Sequence, residues 1–307
     1  MKKPKISNES AVEILRHHFG KTAKCVKRIH GGLANHVFEA RIGREELVLR
    51  ISEHPEKLQV FMKEQWAVTE ARKHKVPTPE ILEVCNDILG LPYMVSRQIR
   101  GRSAGSIGLK KIEVLRELGK YTAIINSIKT QDFGHIFDWS PNKLSRHRTW
   151  TEFLDNELDV EGRLESFARL RIFEPTRLKK LRSQVHLMRQ WKDRPSLTHG
   201  DIRLKNVMLD EKRKIIALLD WEDCMSTIPP YWELSIALHD LNIDEKQVFL
   251  EGYGMSFEAY REVAPIIKAI NVLNYIRAVH HAANDRNEAD LSQLRARLNG
   301  AFDLYSL

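Results

Sequence analysis

The chain has few cysteines and no closely spaced cysteine pair. Three occur among its 307 residues, Cys25, Cys85 and Cys224, and none forms a Cys-x-x-Cys motif. A disulfide framework needs a dense and usually even set of cysteines. The sequence therefore argues against a disulfide-stapled scaffold and predicts a protein of the reducing cytoplasm.

Long hydrophobic runs are also missing. Apolar residues make up 42% of the chain and charged residues 29%, and no stretch approaches the roughly 20 consecutive apolar residues of a membrane helix. The first ten residues are polar and charged, and no apolar run follows them. We therefore expect neither a membrane-spanning segment nor a signal peptide.

The positive charge has no nucleic-acid-binding motif to accompany it. The net charge is +8, and residues 1–50 carry 11 Lys and Arg against 5 Asp and Glu. A recognition helix, zinc-finger spacing or an aromatic ribonucleoprotein pattern would support nucleic-acid binding, and none is visible. We interpret the charge as a solvated basic face or as a basic region that attracts a polyphosphate, and we expect no nucleic-acid partner.

The most informative segment is a short polar run in the second half of the chain. His199 precedes Asp201 by two residues, and Asn206 follows Asp201 by five. Another isolated carboxylate, Asp220, ends the apolar run 215–219. This spacing is typical of a phosphoryl-transfer loop, with a base near the acceptor hydroxyl and two oxygen ligands for Mg²⁺.

This motif, His-Gly-Asp-x-x-x-x-Asn followed by a strand that ends in Asp-Trp, resembles the aminoglycoside phosphotransferase and choline kinase-like family. The resemblance implies a protein kinase-like α+β fold with a small β-rich N-terminal lobe and a larger helical C-terminal lobe. It also implies that Asp201 is the catalytic base and that Asn206 and Asp220 hold Mg²⁺. The Asp-Trp-Glu sequence at Asp220 replaces the Asp-Phe-Gly of protein kinases.

The predicted elements change in character after Gly101, as that fold requires. Before it, the pattern predicts helices at 8–19 and 57–74 and strands at 25–30, 35–42, 46–51, 80–85 and 92–99. After it, helices are predicted at 109–127, 149–158, 175–191, 231–241, 245–253, 257–282 and 287–299, with short strands near 207–209 and 215–219. We place the nucleotide-binding lobe at residues 1–98 and the catalytic and acceptor-binding lobe at residues 99–307.

Two glycines lie between the first two predicted strands. Gly31 and Gly32 allow backbone N–H groups to approach phosphate oxygens without a side-chain clash. A plain hairpin turn is an equally good interpretation of the residues alone. The family resemblance favours a nucleotide loop made by Gly31, Gly32 and Asn35, with Ala34 standing where relatives often have Ser.

A single arginine interrupts the apolar strand at 46–51. Arg50 is costly there unless it is paired or directed at an anion, although an edge strand could turn it to solvent. The resemblance implies that Arg50 replaces the usual phosphate-binding Lys and is positioned by Glu64 of the following helix. Glu70 is the competing partner. The same resemblance places the purine-binding backbone at Ser96 and Gln98.

Two other positions depart from the usual family pattern or leave alternatives open. Arg203 follows Asp201 by two residues and is a second catalytic candidate. It stabilises charge on the transferred group, contacts the acceptor, or packs on the surface. Glu233 stands where the family has a structural Asp, which puts the hydrogen bonds of that Asp in doubt.

Together these features predict a cytoplasmic small-molecule kinase that uses ATP or GTP with Mg²⁺ to phosphorylate a hydroxyl group of an antibiotic or metabolite. The alternatives are a catalytically inactive nucleotide-binding module and a metabolite kinase of the choline or sugar type. A protein kinase is disfavoured because about ten residues separate Asp220 from Pro230, which leaves no room for an activation loop. The oligomeric state stays open.

The identity of the acceptor is the least constrained part of this prediction. Residues 199–245 contain ten Asp and Glu against five Lys and Arg, which weakly favours a cationic acceptor. We expect the acceptor pocket to include polar and aromatic residues of the helix at 257–282. These are Tyr260, Asn271, Asn274, Tyr275, Arg277 and His280.

Overall fold

The computed structural model describes residues 6–29, 35–106, 111–135 and 147–304. Contacts divide the chain into two compact units. The first unit is Met1–Leu109 with Leu204–Cys224, and the second is Lys110–Arg203 with Met225–Leu307. The predicted lobe boundary between residues 98 and 99 stays a prediction.

The elements follow the predicted order of a β-rich part and then a helical part, and they confirm the α+β class. The strands are β1 Lys24–Ile29, β2 His36–Ile42, β3 Glu45–Ile51, β4 Ile81–Cys85, β5 Tyr93–Arg97, β6 Arg102–Ser103, β7 Ser196–Thr198, β8 Val207–Leu209, β9 Ile215–Leu218 and β10 Met225–Thr227. The α-helices are α1 Asn8–Phe19, α2 Lys57–Lys73, α3 Ile112–Ser127, α4 Trp150–Glu152, α5 Val160–Arg169, α6 Pro175–Arg189, α7 Tyr231–Ala237, α8 Ile243–Tyr253, α9 Phe257–Asn274, α10 Ile276–Asn284 and α11 Glu288–Leu304.

The first unit is built on a five-stranded antiparallel sheet of order β1-β2-β3-β5-β4. Strand β3 lies in the middle. Its residues Leu47, Leu49 and Ile51 are fully buried against apolar side chains of α1. Because side chains alternate along a strand, Val48 and Arg50 lie on the opposite face. The sheet thus has one face that packs in the hydrophobic core and an opposite face that carries Val48 and Arg50.

Helix α2 packs on the side of this sheet formed by β4 and β5. The helical pattern over 57–74 predicts that Phe61, Trp66 and Val68 are buried. Phe61 and Val68 are buried, but Trp66 is half-buried. The prediction for Trp66 was wrong because a residue five positions after Phe61 lies about 140° around the helix from it, whereas Val68 returns to the same face.

The β8–β9 hairpin also belongs to the first unit and forms a small sheet of order β6-β8-β9. Val207 pairs with Leu218 at one end of the hairpin. Just beyond this end, Trp221 is 1% exposed and donates its ring N–H to the Leu218 carbonyl at 2.9 Å. The buried indole therefore anchors the chain as it leaves β9.

The second unit has a helical core formed mainly by side chains of α5, α6, α9 and α10. The pattern predicted one helix over residues 257–282, but the structure divides it into α9 and α10 at Tyr275. The backbone of Tyr275 stays in the right-handed region (φ −74°, ψ −9°), so the apolar period continues across the break. None of the helices in the described part is long and apolar enough to cross a membrane.

Helix α5 was not predicted. Its first turn contains Gly162, which disfavours a helix by about 1 kcal/mol relative to Ala. Asp159 compensates, because it lies in the left-handed region (φ 49°) and its carboxylate accepts the N–H of Gly162 at 3.3 Å. This cap is a local contact that a hydrophobic pattern cannot reveal.

Helices α3 and α8 cross with their backbones in contact. A Cβ atom added at Gly119 would lie 2.2 Å from the Phe249 carbonyl oxygen, and one at Gly252 would lie 2.0 Å from that of Arg116. No side chain larger than hydrogen fits at either crossing position. The two glycines therefore fix the spacing of these helices.

Candidate active site

Strand β3 carries the predicted cation. Arg50 and Glu64 form an ion pair, and their side chains are only 17% and 6% exposed. The guanidinium also lies over the ring of Phe61, 5.2 Å from its centroid. Arg50 is on the central strand, so the solvent-facing alternative was wrong. The competing partner, Glu70, instead pairs with Lys73 at 2.6 Å.

A cavity of about 330 Å³ opens on the face of the sheet that carries Arg50. The strands, α2 and the segment after β9 each contribute both apolar and polar side chains to its wall. The lining residues are Glu39, Val48, Arg50, Glu64, Val68, Pro79, Ile81, Met94, Ser96, Arg97, Gln98, Ile99, Leu219, Asp220 and Trp221. One cavity in the first unit thus contains five of the predicted site residues, namely Arg50, Glu64, Ser96, Gln98 and Asp220.

The predicted purine-binding positions are only partly available. Gln98 donates its backbone N–H to the Glu46 carbonyl at 2.9 Å and its side-chain amide to Glu39 at 2.7 Å. Because this N–H already has a partner, a purine would have to use other backbone groups of the segment 96–98. Ser96 and Gln98 both line the cavity, and their other contacts with a base stay a prediction.

The predicted nucleotide loop is only partly within the described residues. Gly31 and Gly32 lie outside them. Asn35, immediately before β2, has a buried side-chain oxygen with no hydrogen-bond partner in the described part of the chain. The role of this segment in phosphate binding stays a prediction.

Asn206 and Asp220 lie at the same end of the β8–β9 hairpin. The N–H of Leu219 donates to the Asn206 carbonyl at 2.8 Å, which brings the two segments together. Asn206 is 8% exposed and Asp220 is half-buried in the cavity wall. The backbone of Asp220 is in the left-handed region (φ 66°), where Asp is among the few tolerated side chains.

This pair of oxygen donors fits Mg²⁺ better than a transition metal. No cluster of three or more His, Cys, Asp or Glu side chains in the described ranges could hold a metal. Magnesium usually binds one or two protein oxygens and takes its other ligands from phosphate and water. One amide oxygen from Asn206 and one carboxylate from Asp220 satisfy that requirement.

The loop that carries Asp201 is in the second unit. His199 is fully buried, and its ring Nδ1 accepts the N–H of Asp201 at 3.3 Å. Gly200 between them has φ 84°, a conformation that other residues rarely adopt. Arg203 Nε lies 2.8 Å from Asp201 Oδ1, and the Arg203 side chain is 41% exposed. His199 therefore orients the loop, and Arg203 pairs with its carboxylate.

Glu233 of α7 holds this loop in place through hydrogen bonds to its backbone. Its carboxylate is fully buried and accepts the N–H of His199 at 2.5 Å and that of Gly200 at 3.2 Å. Although Glu is longer than the Asp that the family has at this position, Glu233 thus makes structural hydrogen bonds of the kind that the substitution had put in doubt. Burial raises the pKa of Glu233 to about 7 against the opposing effect of these two N–H donors, and the charge of Asp201 raises it further.

Asn126 of α3 is a supporting residue that the sequence did not reveal. Its amide donates to the Leu197 carbonyl in β7 at 3.1 Å, and its oxygen accepts the Tyr253 hydroxyl at 3.0 Å. The sequence signal that could have identified Asn126 is its place as a polar residue on the buried face of an amphipathic helix, where a polar side chain needs hydrogen-bond partners. Helices α3, α7 and α8 together hold the segment that leads to Asp201.

We predict that Glu233 makes stability fall as pH rises. Its pKa is raised in the folded protein, so the folded chain holds the proton over a pH range in which the unfolded chain has lost it. Relative to Glu233→Gln, the free energy of unfolding of the wild type should therefore decrease by about 3 kcal/mol between pH ~4.5 and ~8. Chemical denaturation at several pH values measures this difference.

Glu262→Gln is the matched control, because Glu262 lies exposed on α9. Its difference from the wild type is the baseline against which that of Glu233→Gln is judged. A difference for Glu233→Gln with the same pH dependence as this baseline would mean that Glu233 titrates alike in the folded and unfolded chains.

Comparisons with known proteins agree with this geometry. A model of the phosphotransferase enzyme family matches residues 26–266. The hygromycin-B 4-O-kinase of Escherichia coli is 22% identical over 230 residues, which cover 73% of this chain and 65% of that protein. The chain thus spans about two thirds of the length of this curated relative.

Solved structures show the same kinase-like fold. Aminoglycoside phosphotransferase APH(4)-Ia has a TM-score of 0.72 at 18% identity, covering 96% of this chain and 98% of its own. A macrolide 2'-phosphotransferase from Brachybacterium faecium has a TM-score of 0.63 at 16% identity, with coverage of 95% and 97%. Because the family model spans more than half of the chain, this protein belongs to the phosphotransferase enzyme family.

Proposed function

We propose that this protein is a small-molecule kinase that transfers the γ-phosphoryl group of ATP or GTP to a hydroxyl group of an antibiotic or metabolite. The observation that carries the proposal is the Asp201 loop, whose carboxylate is 11% exposed and whose backbone is fixed by Glu233 and His199. The relatives support it, since solved neighbours include complexes with AMP-PNP and hygromycin B and with GDP and kanamycin.

The nucleotide would bind in the cavity of the first unit. The apolar side chains of Val48, Ile81 and Met94 offer a surface for a flat purine ring. Arg50, held by its ion pair with Glu64, would contact the phosphates, since Arg binds phosphate oxygens through paired N–H donors. The preference between ATP and GTP depends on hydrogen bonds to the base and stays open.

Asn206 and Asp220 would hold Mg²⁺. When bound, the ion would neutralise charge on the phosphates and help to align them. Both residues belong to the first unit, and Asp220 lines the cavity proposed for the nucleotide. The remaining residues of the site serve to bind the nucleotide and to orient the acceptor.

Asp201 would orient the acceptor hydroxyl and accept its proton. The acceptor oxygen forms the new bond to the γ-phosphorus while the bond from that phosphorus to the β–γ bridging oxygen breaks, and the nucleoside diphosphate leaves. Arg203, paired with Asp201 and partly exposed, would hold the carboxylate in place and add positive charge beside the transferred group. The choice between phosphate and acceptor as its contact stays open.

A polar cluster at the end of α7 supports binding of a hydroxylated acceptor. His239 contacts the Tyr275 hydroxyl and Arg297, and Asn271 donates to the Ser235 carbonyl at 2.7 Å. Burial lowers the pKa of His239, and the positive charges of Arg297 and Arg203 lower it further. The imidazole, hydroxyl and amide groups of this cluster, together with the charged Arg297, suit an acceptor rich in hydroxyl groups. Tyr260 is 5% exposed and belongs to the core instead.

The acidic excess over residues 199–245 gives little support for a cationic acceptor. Its carboxylates are largely engaged within their own units. Glu222 pairs with Lys57 at 3.0 Å, and Glu245 pairs with Lys111 at 2.8 Å. Glu233 accepts the backbone N–H of His199, and Asp240 lies 3.7 Å from Arg297. The proposed class therefore stays a hydroxylated antibiotic or metabolite, whatever its charge.

A coupled assay of ADP or GDP release tests the proposal. The purified protein is incubated with Mg-ATP or Mg-GTP and with aminoglycosides, macrolides, amino alcohols or sugars in turn. At least one class should stimulate release at least tenfold over water as acceptor, and Asp201→Asn should abolish the stimulation. Nucleotide binding without stimulation by any class would favour the inactive nucleotide-binding module.

We propose a cytoplasmic location and no nucleic-acid partner. The proposal of a reducing compartment is supported by the sparse, unclustered cysteines, since Cys25, Cys85 and Cys224 are thiols and not disulfide partners of one another. The basic residues are partly used in ion pairs of the described sheet, as in the pairing of Arg97 with Glu45 and Glu80.

We predict that Arg50→Lys is tolerated better than Arg50→Ala. Lys keeps the positive charge that phosphate contact needs but loses the fork that pairs with Glu64. The ratio kcat/KM for the nucleotide should fall about 3- to 10-fold for Lys and about 100-fold or more for Ala, where a buried carboxylate also loses its partner. Steady-state kinetics with each variant measure this.

Arg41→Ala is a suitable control, since Arg41 is an exposed arginine on the neighbouring strand β2. Equal losses for Arg50→Lys and Arg50→Ala would show that the geometry of the fork outweighs its charge. Wild-type kinetics in both would remove Arg50 from the nucleotide site.

A further inference from the structure

Two lysines of α2 hold the segment that follows Asp220. Lys63 is 4% exposed, and its ammonium donates to the Glu222 backbone carbonyl at 2.7 Å. Lys57 lies six residues earlier, and its ammonium is 3.0 Å from the Glu222 carboxylate, with both side chains less than one third exposed. Both contacts lie within the first unit and end on the same residue, two positions after Asp220.

Burying the ammonium group of a lysine in a helix costs free energy. Removing a charged group from water is unfavourable unless hydrogen bonds compensate it. Met or Leu would pack the stem of Lys63 at no such cost. The contact from Lys63 to a backbone carbonyl therefore has a consequence beyond packing, since it fixes the path of the main chain at Glu222.

That path needs fixing because Asp220 has an unusual backbone conformation. A non-glycine residue in the left-handed region costs about 1 kcal/mol or more and persists where its surroundings impose it. Trp221 anchors one side through its buried ring, and the N–H of Cys224 donates to the Trp221 carbonyl at 3.0 Å. The lysines hold the other side of this turn at Glu222.

The next residue of α2 completes the arrangement. Glu64 directly follows Lys63 and pairs with Arg50 on β3. One turn of helix thus contacts the proposed phosphate-binding cation through Glu64 and the segment after the proposed metal ligand through Lys63. Both Arg50 and Asp220 line the same cavity.

We propose that Lys63, assisted by Lys57, is a positioning residue for Asp220, so that α2 sets the place of the metal ligand relative to Arg50. The inference rests on the proposed kinase function. It predicts that loss of the Lys63 ammonium weakens Mg²⁺ binding while the metal-free cavity keeps its affinity for nucleotide.

The test uses Lys63→Met, which retains an unbranched apolar stem, in the full-length protein. Calorimetry measures nucleotide binding over a series of Mg²⁺ concentrations and in EDTA. The Mg²⁺ concentration at half-saturation should rise about 10- to 100-fold, the range typical for loss of a residue that orients a metal ligand. The dissociation constant in EDTA should stay within about twofold of the wild type, since the metal-free cavity is unchanged.

Lys73→Met is the matched control on the same helix. Lys73 is 61% exposed and pairs with Glu70. Its Mg²⁺ dependence should match that of the wild type. Lys57→Met provides a second, partly exposed variant if Lys63→Met does not fold, and it should shift the Mg²⁺ dependence by about threefold, as loss of a partly exposed ion pair would.

Three results would overturn the inference, and they are distinguishable. If Lys63→Met, or Lys57→Met in its place, shows the same Mg²⁺ dependence as Lys73→Met, the lysines do not position Asp220. If affinity falls equally with Mg²⁺ and in EDTA, they support the cavity as a whole. If the wild type itself shows no Mg²⁺-dependent nucleotide binding, the proposed function fails and this inference fails with it.

Discussion

Asp201→Asn should lower kcat by about 10²–10⁴-fold, the usual contribution of a general base, while leaving nucleotide affinity within about twofold. Asn is nearly isosteric with Asp, and its oxygen can still accept the hydrogen bond from Arg203 Nε, so the loop should keep its conformation. It cannot take the acceptor proton. Single-turnover kinetics combined with calorimetry separate the chemical step from binding.

Asp210→Asn is the control for this substitution. Asp210 lies in the β8–β9 turn, where its carboxylate accepts the N–H of Lys214 at 2.8 Å. It is an aspartate close to Asp201 in the sequence, but it has no part in the proposed chemistry. Activity of Asp201→Asn within about tenfold of the control, less than a general base supplies, would place the base elsewhere.

Asp220→Ala should weaken Mg²⁺-dependent nucleotide binding by about 100-fold or more, beyond what loss of an outer-shell residue causes. It deletes the carboxylate that would hold the metal next to the phosphates. Because Ala is poorly suited to the left-handed conformation of this residue, Asp220→Asn should be measured beside it. Asn tolerates that conformation and keeps an oxygen, so its loss should be smaller.

Asp223→Ala serves as the control, since Asp223 is exposed three residues later. Calorimetry with Mg-ATP and with ATP in EDTA should show a defect for Asp220→Ala only when Mg²⁺ is present. A dissociation constant unchanged in both conditions would leave Asp220 as a residue that merely ends the strand.

The fold class was predictable, and the candidate site residues could be proposed, because the signals for both are local. Asp201 and Asn206 stand in one short loop, and a β-rich segment followed by helices is visible in the apolar pattern. The apolar strand pattern indicated that Arg50 needs a partner, and the choice of Glu64 over Glu70 came from the family resemblance; the structure has the Arg50–Glu64 ion pair. The roles proposed for these residues stay predictions until the variants are measured.

The features that could not be predicted from the sequence depend on contacts between segments that are far apart along the chain. Nothing in the local pattern around Gln98 shows that its N–H is used by Glu46, a residue from another strand. The density of acidic residues around Asp201 likewise says nothing about their partners, which come from helices far away in the chain. Lys63 looks like an ordinary surface lysine until its depth of burial is known.

The glycine crossing of α3 and α8 has a consequence for how this protein can change over time. Where the two backbones are in contact, there is no side chain between them whose size could change. The distance between α3 and α8 therefore cannot be altered by the small changes in side-chain volume that ordinary cores tolerate. Asn126 on α3 and Tyr253 on α8 connect that spacing to β7, the strand before Asp201. Variation is thereby directed to other surfaces. If the proposed function is right, new acceptors can be acquired through the helices after α8 while the Asp201 loop keeps its place.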